Sequence, residues 1–191
     1  ILRITQQFYH DRRCLESINE VKFEAHMRDF CWACHRPRSA CFCTHALPFT
    51  SDAGFALIVH PYEVRSTVGT AWIMRRSMLN LGWFRSKGSE LDLDPLFLKL
   101  VSDPAIVPLL LFPGPSAFNL SRAPEEDWKE LVPEAKRPLF IVIDGTWTQA
   151  RAMLRRSKVL SALPRVSFDS TQRSEYGFKI QPHPACLSSV E

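Results

Sequence analysis

The chain has 191 residues, 46% of them hydrophobic and 23% charged, with 24 Lys and Arg against 20 Asp and Glu. This composition predicts one globular domain with room for a small appendage and excludes a wholly disordered chain. The net charge of +4 suits an anionic partner without requiring one.

The longest apolar run, residues 105–112, is broken by Pro108 and falls far short of the roughly 20 residues of a membrane helix. Only 7 glycines are present, and neither G-x-G-x-x-G nor a Walker sequence occurs. A Gly-rich phosphate loop is therefore excluded. No charged-then-apolar leader is visible at the start, and the expected location is cytoplasmic.

Residues 5–28 lack Pro and Gly and predict a helix leading into a cysteine cluster. That cluster, C-W-A-C-H-R-P-R-S-A-C-F-C, places Cys31, Cys34, Cys41 and Cys43 close together. A C-x-x-C turn aims two thiolates at one ion, and a second close pair completes a tetrahedral shell. Four thiolates with no open position make a structural site, and zinc is the expected ion, with an iron–sulfur cluster as the alternative. His35 and His45 are possible substitute ligands, while Cys14 and Cys186 lie far off. A disulfide reading requires an oxidising compartment, which nothing in the sequence supports.

Beyond the cysteines, strands alternate with helices. F-A-L-I-V-H at 55–60 is a buried strand stopped by Pro61. Residues 63–81 have helical spacing, with Val68, Ala71, Trp72, Met78 and Leu79 on one face. Residues 86–104 predict a loop with a short helix, and 106–112 a second strand ended by Pro113-Gly114. P-L-F-I-V-I-D at 138–144 is the clearest strand, followed by a helix over 146–157 with Trp147, Ala150, Met153 and Leu154 on its apolar side. Further strands are predicted at 163–168 and 176–180. The fold class is α/β, a mainly parallel sheet with helices on both faces. The boundary is drawn at residue 50, with a helix and metal lobe over 1–50 and the α/β domain over 51–191.

The polar residues gather at the strand ends: His60-Pro61-Tyr62-Glu63, Phe112-Pro113-Gly114 and Asp144-Gly145-Thr146-Trp147. Such folds bind ligands at the carboxyl ends of their strands. Asp144 is either a helix cap or a group that binds ligand or removes a proton. Trp147 is either core or a stacking surface, and Gly145 permits a close approach. His60 is either structural or part of the site. Arg151, Arg155 and Lys158 fall at i, i+4 and i+7, and Arg65 and Arg76 share one face of the predicted earlier helix. These stripes are solvated surface or contacts to an anion such as an RNA backbone.

These residues resemble the DTW-domain family, the tRNA-uridine aminocarboxypropyltransferases. The resemblance rests on D-G-T-W at 144–147 with Gln149-Ala150-Arg151, on C-x-x-C-x-R-P…C-x-C, and on H-P-x-E with Ser66 and Gly69-Thr70. It extends through F-P-G and the stretch from Ser174 to Glu191. It departs at Phe178, where the family has arginine, and the family pattern continues past Glu191, so a truncated last element is expected.

The resemblance implies a fold related to the SPOUT methyltransferases with a carboxy-terminal knot. It implies S-adenosylmethionine as donor, structural zinc, and transfer of the 3-amino-3-carboxypropyl group to the imide nitrogen of a tRNA uridine. Asp144, Thr146 and Trp147 would form the catalytic group. Pro113, Gly114, Asp144, Gly145, Lys179, Leu187 and Ser188 would hold the donor. His60, Glu63, Arg65, Arg76, Arg151, Arg155 and Lys158 would hold the tRNA. The rival readings are a SPOUT-type RNA methyltransferase and a non-enzymatic zinc-ribbon RNA-binding protein.

Overall fold

The structure is a computed structural model that describes residues 29–66, 69–170, 174 and 175. The predicted helix over 5–28, the strand over 176–180 and the expected carboxy-terminal knot lie outside the described residues.

Two short strands, β1 (Phe30–Cys31) and β2 (Arg36–Pro37), pair antiparallel and frame the cysteine turn. The main sheet contains β3 (Gly54–Val59), β4 (Leu81–Arg85), β5 (Ile106–Leu111), β6 (Phe118–Asn119), β7 (Arg137–Asp144) and β8 (Arg165–Ser167). Its order is β4-β3-β7-β5-β8-β6 and every pairing is parallel. The predicted α/β sheet is therefore present. The helices are α1 (Ala71–Ser77), α2 (Pro95–Val101), α3 (Glu125–Leu131), α4 (Trp147–Arg156) and α5 (Lys158–Ala162).

Strand alternation assigns the two faces. Ala56, Ile58, Leu110, Leu139 and Ile141 point to α2, α4 and α5, where they meet Phe97, Met153, Leu154 and Leu160. Leu57 and Val59 point the other way, to Ala71 and Met74 of α1. On that same side Leu109 and Val166 pack with Trp128 and Leu131 of α3. Each fully buried Leu or Ile contributes about 1.5–3 kcal/mol relative to exposure. With both faces covered, the strands read as continuous apolar runs.

Two prolines sit inside these strands without costing a ladder bond. The amides of Leu110 and Phe112 donate toward β8, to Pro164 and Val166 carbonyls at 2.9 and 3.0 Å. Pro108 has the same parity, but β8 pairs only with Leu110 and Leu111. Its missing N–H thus faces a stretch with no partner strand. Pro138 is accommodated the same way, because β3 begins opposite Leu139.

The extents differ from the sequence reading at several places. Residues 63–81 are not one helix: Glu63–Arg65 is a 3₁₀ turn and α1 covers only Ala71–Ser77. Arg65 and Arg76 therefore do not share a helix face. Met78 leaves the helix to bridge Phe49, and Leu79 is exposed. The next residues form β4, which lies close to β3 because Gly82 faces Ala56; a Cβ on Gly82 would come within 3.3 Å of the Ala56 Cβ.

The predicted stripe from Arg151 to Lys158 is also broken. Asp92 accepts from the Ser157 hydroxyl at 2.6 Å and from the amides of Lys158 and Val159 at 2.8 and 3.1 Å. These bonds satisfy the donors of a new helix start, so α4 stops and Lys158 begins α5. Asp92 comes from a turn that α4 itself buttresses. There Gly88 has φ of +122°, and a Cβ on it would meet the Met153 carbonyl at 2.6 Å. Neither β6, α3 nor α5 was anticipated from sequence.

Candidate active site and metal centre

Because β7 lies between β3 and β5, three motifs far apart in sequence end side by side. Val59 is in register with Asp144, and the next amide, of His60, donates to the Asp144 carbonyl at 2.9 Å. Asp144 and His60 are both buried, at 7% exposure. Gly145 is closely enclosed: a Cβ there would lie 3.2 Å from Gln149 Oε1 and 3.5 Å from the His60 Cβ. Pro113 and Gly114 follow β5 and are exposed.

The helix cap is supplied by Thr146, not Asp144. The Thr146 hydroxyl accepts from the Gln149 amide at 3.2 Å, and Gln149 Oε1 accepts from the Thr146 amide at 2.7 Å. This reciprocal capping box fixes the direction of α4 and leaves the Asp144 carboxylate out of the cap. Trp147 opens the helix at 41% exposure, with its ring edge-on to Phe112 at 5.8 Å. Arg165 lies beside the same loop. Its Cζ is 5.9 Å from the Phe112 ring centre and its Nη1 is 3.3 Å from where a Gly114 Cβ would stand.

The remaining sequence-predicted residues divide by position. Glu63 and Arg65 form the 3₁₀ turn directly after His60. Arg76 on α1, Arg151 and Arg155 on α4, and Lys158 on α5 are exposed. None of these four cations forms an ion pair among the described residues. Lys179, Leu187 and Ser188 lie outside the described residues. Arg165 was missed because its relevance depends on β8 inserting beside β5, which the local sequence does not encode. A recess of about 210 Å³ lined by Gly54, Gly82, Ile106 and Arg137 opens at the opposite, amino-terminal edge, away from all three motifs.

The four cysteine sulfurs lie within 4.8 Å of one another. Cys31 and Cys43 Sγ are 3.8 Å apart, and Cys34 and Cys41 Sγ are 3.7 Å apart. A disulfide needs about 2.05 Å, so these are not bridges. A tetrahedron with bonds of about 2.3 Å has edges of about 3.8 Å, so the cluster fits one ion. Backbone N–H groups of Cys34 and Ala33 lower the Cys31 thiol to about 6, whereas burial raises Cys34 and pushes Cys43 up to about 12. A cation at the centre favours the thiolate form of all four.

Neither histidine replaces a cysteine in the cluster. His35 adopts φ of 55° after the C-x-x-C turn and donates its amide to the Cys31 carbonyl at 2.8 Å. Its ring stacks on Trp72 of α1 at 3.8 Å, and Arg75 lies over Trp72 and Trp83. Arg36 Nη2 reaches the Gly69 carbonyl at 3.5 Å. The lobe is thus anchored to the segment that follows His60-Pro61-Tyr62-Glu63.

The DTW domain description matches residues 28–191, which includes the cysteine cluster and all three strand-end motifs. The chain belongs to the DTW-domain family. Among curated relatives, tRNA-uridine aminocarboxypropyltransferase 2 of Drosophila melanogaster is 30% identical over 179 residues, covering 86% of this chain and 63% of its own length. The Mus musculus protein of the same name is 25% identical, covering 87% and 55%. tRNA-uridine aminocarboxypropyltransferase A of Arabidopsis thaliana is 23% identical, covering 87% and 70%. The chain thus spans little more than half the length of the mouse relative. No solved structure matches it. Among the described residues of this DTW chain, no helix is long and apolar enough to cross a membrane.

His60 gives this family site a pH signature. Burial is the main cause that holds its imidazole below the ordinary 6.5; Lys87 and Arg156 push the same way, while Glu63 and Glu90 oppose them. Its Nδ1 accepts from the Tyr62 amide at 3.3 Å, a bond that protonation removes. The unfolded chain therefore takes up the proton first as pH falls. The stabilisation is complete above about 6.5 and is lost progressively below it. The melting temperature of wild-type protein is expected to fall more steeply from pH 6.5 to 5 than that of His60→Gln, measured by thermal melts across that range. Equal slopes would remove His60 from the account.

Proposed function

We propose that the protein transfers the 3-amino-3-carboxypropyl group of S-adenosylmethionine to the ring imide nitrogen of a tRNA uridine in the cytoplasm. The observation that carries this reading is the meeting of D-G-T-W and H-P-x-E at adjacent strand ends, through the His60 amide and the Asp144 carbonyl. The names of the relatives support the reaction class.

The donor supplies an activated carbon next to its sulfonium. The uridine nitrogen bonds to that carbon, the carbon–sulfur bond breaks, and its electron pair stays on sulfur as methylthioadenosine leaves. The imide proton goes to Asp144. Catalysis then consists of alignment and proton removal. Thr146 orients the turn that carries Asp144, and Trp147 offers a partly exposed ring on which an unstacked uridine can rest. Pro113, Gly114 and Gly145, together with Lys179, Leu187 and Ser188, form the donor side. Glu63 with His60 shapes the floor, and Arg65, Arg76, Arg151, Arg155 and Lys158 contact phosphates. The ion held by Cys31, Cys34, Cys41 and Cys43 is a structural zinc.

The test is mass spectrometry of nucleosides from unmodified tRNA incubated with the protein and S-adenosylmethionine. A uridine heavier by one aminocarboxypropyl group is expected. A methyl increment would instead assign the chain to the SPOUT-type methyltransferases. No modified nucleoside would leave a non-catalytic RNA-binding role.

A further inference from the structure

The arm of the proposed donor ends in a carboxylate, and a donor pocket for it needs a cation. Among the described cations beside the strand-end loops, Arg165 has an uncommon setting. It is the first residue of β8, an inner strand, and is followed by the fully buried Val166. It is only partly exposed, yet it forms no salt bridge among the described residues. Withdrawing part of a guanidinium from water costs free energy that an anionic partner offsets. Its reach is defined on two sides: the Cζ sits 5.9 Å from the Phe112 ring centre, and the Nη1 lies 3.3 Å from where a Gly114 Cβ would stand. The fork of N–H donors is thus presented at the loop that follows β5. By contrast, Arg151 and Arg155 are exposed along α4.

Resting on the donor reading above, we propose that Arg165 is the counter-ion that binds the α-carboxylate of the donor's amino-acid arm. A planar guanidinium matches a carboxylate with two parallel hydrogen bonds, which fixes direction as well as charge. Such a clamp selects donors that carry an intact amino-acid arm, and it does so through a residue separate from the proton-accepting group.

The test compares two ligands by calorimetry on the full chain: S-adenosylhomocysteine, which keeps the carboxylate, and methylthioadenosine, which lacks the whole arm. Arg165→Met removes the charge while keeping an unbranched side chain beside Phe112, and is first checked for an unchanged melt. It is expected to weaken S-adenosylhomocysteine by roughly 10–150-fold, the range for a lost hydrogen bond to a charged group, with methylthioadenosine changed less than about twofold. Arg165→Lys restores part of the loss. Equal loss for both ligands, or no loss for either, overturns the assignment. Loss confined to tRNA affinity overturns it too and makes Arg165 a phosphate contact. Wild-type protein that binds neither ligand overturns the donor reading itself, an outcome separate from the others.

Discussion

Asp144→Asn is expected to slow the proposed aminocarboxypropyl transfer by about 10²–10⁴-fold, the usual cost of losing a positioned general base, the role proposed for Asp144. The substitution keeps the side chain's size and leaves the backbone carbonyl that accepts from His60 at 2.9 Å. It removes the negative charge and the capacity to take a proton, so the variant is first checked by a thermal melt for a retained fold. The measurement is single-turnover transfer at saturating donor and tRNA, read as modified uridine. Thr146→Ala is the contrasting case. Its hydroxyl is committed to the Gln149 amide, so its loss is expected to cost about 1 kcal/mol of stability. Wild-type rates in Asp144→Asn would dismiss the base assignment. A raised KM for the donor at an unchanged kcat would give Asp144 to the amino group of the transferred arm instead.

The three strand-end motifs were legible because each is local. An apolar run ended by Pro or Gly and followed by compact polar residues marks the carboxyl end of a buried strand whatever its neighbours are. Their adjacency was not legible, because it depends on β7 entering between β3 and β5. The helix over 146–157 was read within a residue of its observed extent, since Thr146 and Gln149 form a cap from contiguous sequence. The errors arose where distant residues intervene. Asp92 ends α4 across 65 residues of chain, and Phe49 draws Met78 out of α1. Helical spacing in residues 63–81 has no term for the Phe49 contact, and that in residues 146–158 has none for Asp92. Arg165 belongs with these: as an isolated residue it is one more surface cation, and only the register with Leu110 brings it beside Gly114.

The metal site shows the opposite balance, because four ligands within one short segment are nearly sufficient. Stripping the ion is expected to unfold the cysteine lobe while the sheet stays folded. Across residues 29–50 the buried side chains are those of Cys31 and Cys34, so the lobe has no apolar core and an ion held by the cysteines would take that place. Its β1–β2 ladder is only two residues long on each strand. Structural zinc contributes on the order of 10 kcal/mol in small modules at neutral pH. For the proposed zinc most of that free energy would fall on the lobe, because the clusters around Ile141, Leu57 and Leu109 contain none of its residues. The lobe docks through His35 on Trp72 and Arg36 on the Gly69 carbonyl. Its loss therefore exposes Trp72 and loosens the segment leading from His60. Wild-type protein is expected to carry one zinc per chain and Cys34→Ser markedly less. Chelated protein should show red-shifted tryptophan emission, proteolysis confined to residues 29–53, and a helix and sheet signal largely retained. Activity should fall through weaker positioning of the substrate, seen first in KM. A metal-free protein whose lobe resists protease as well as the holo form would show that the cysteines hold it without an ion.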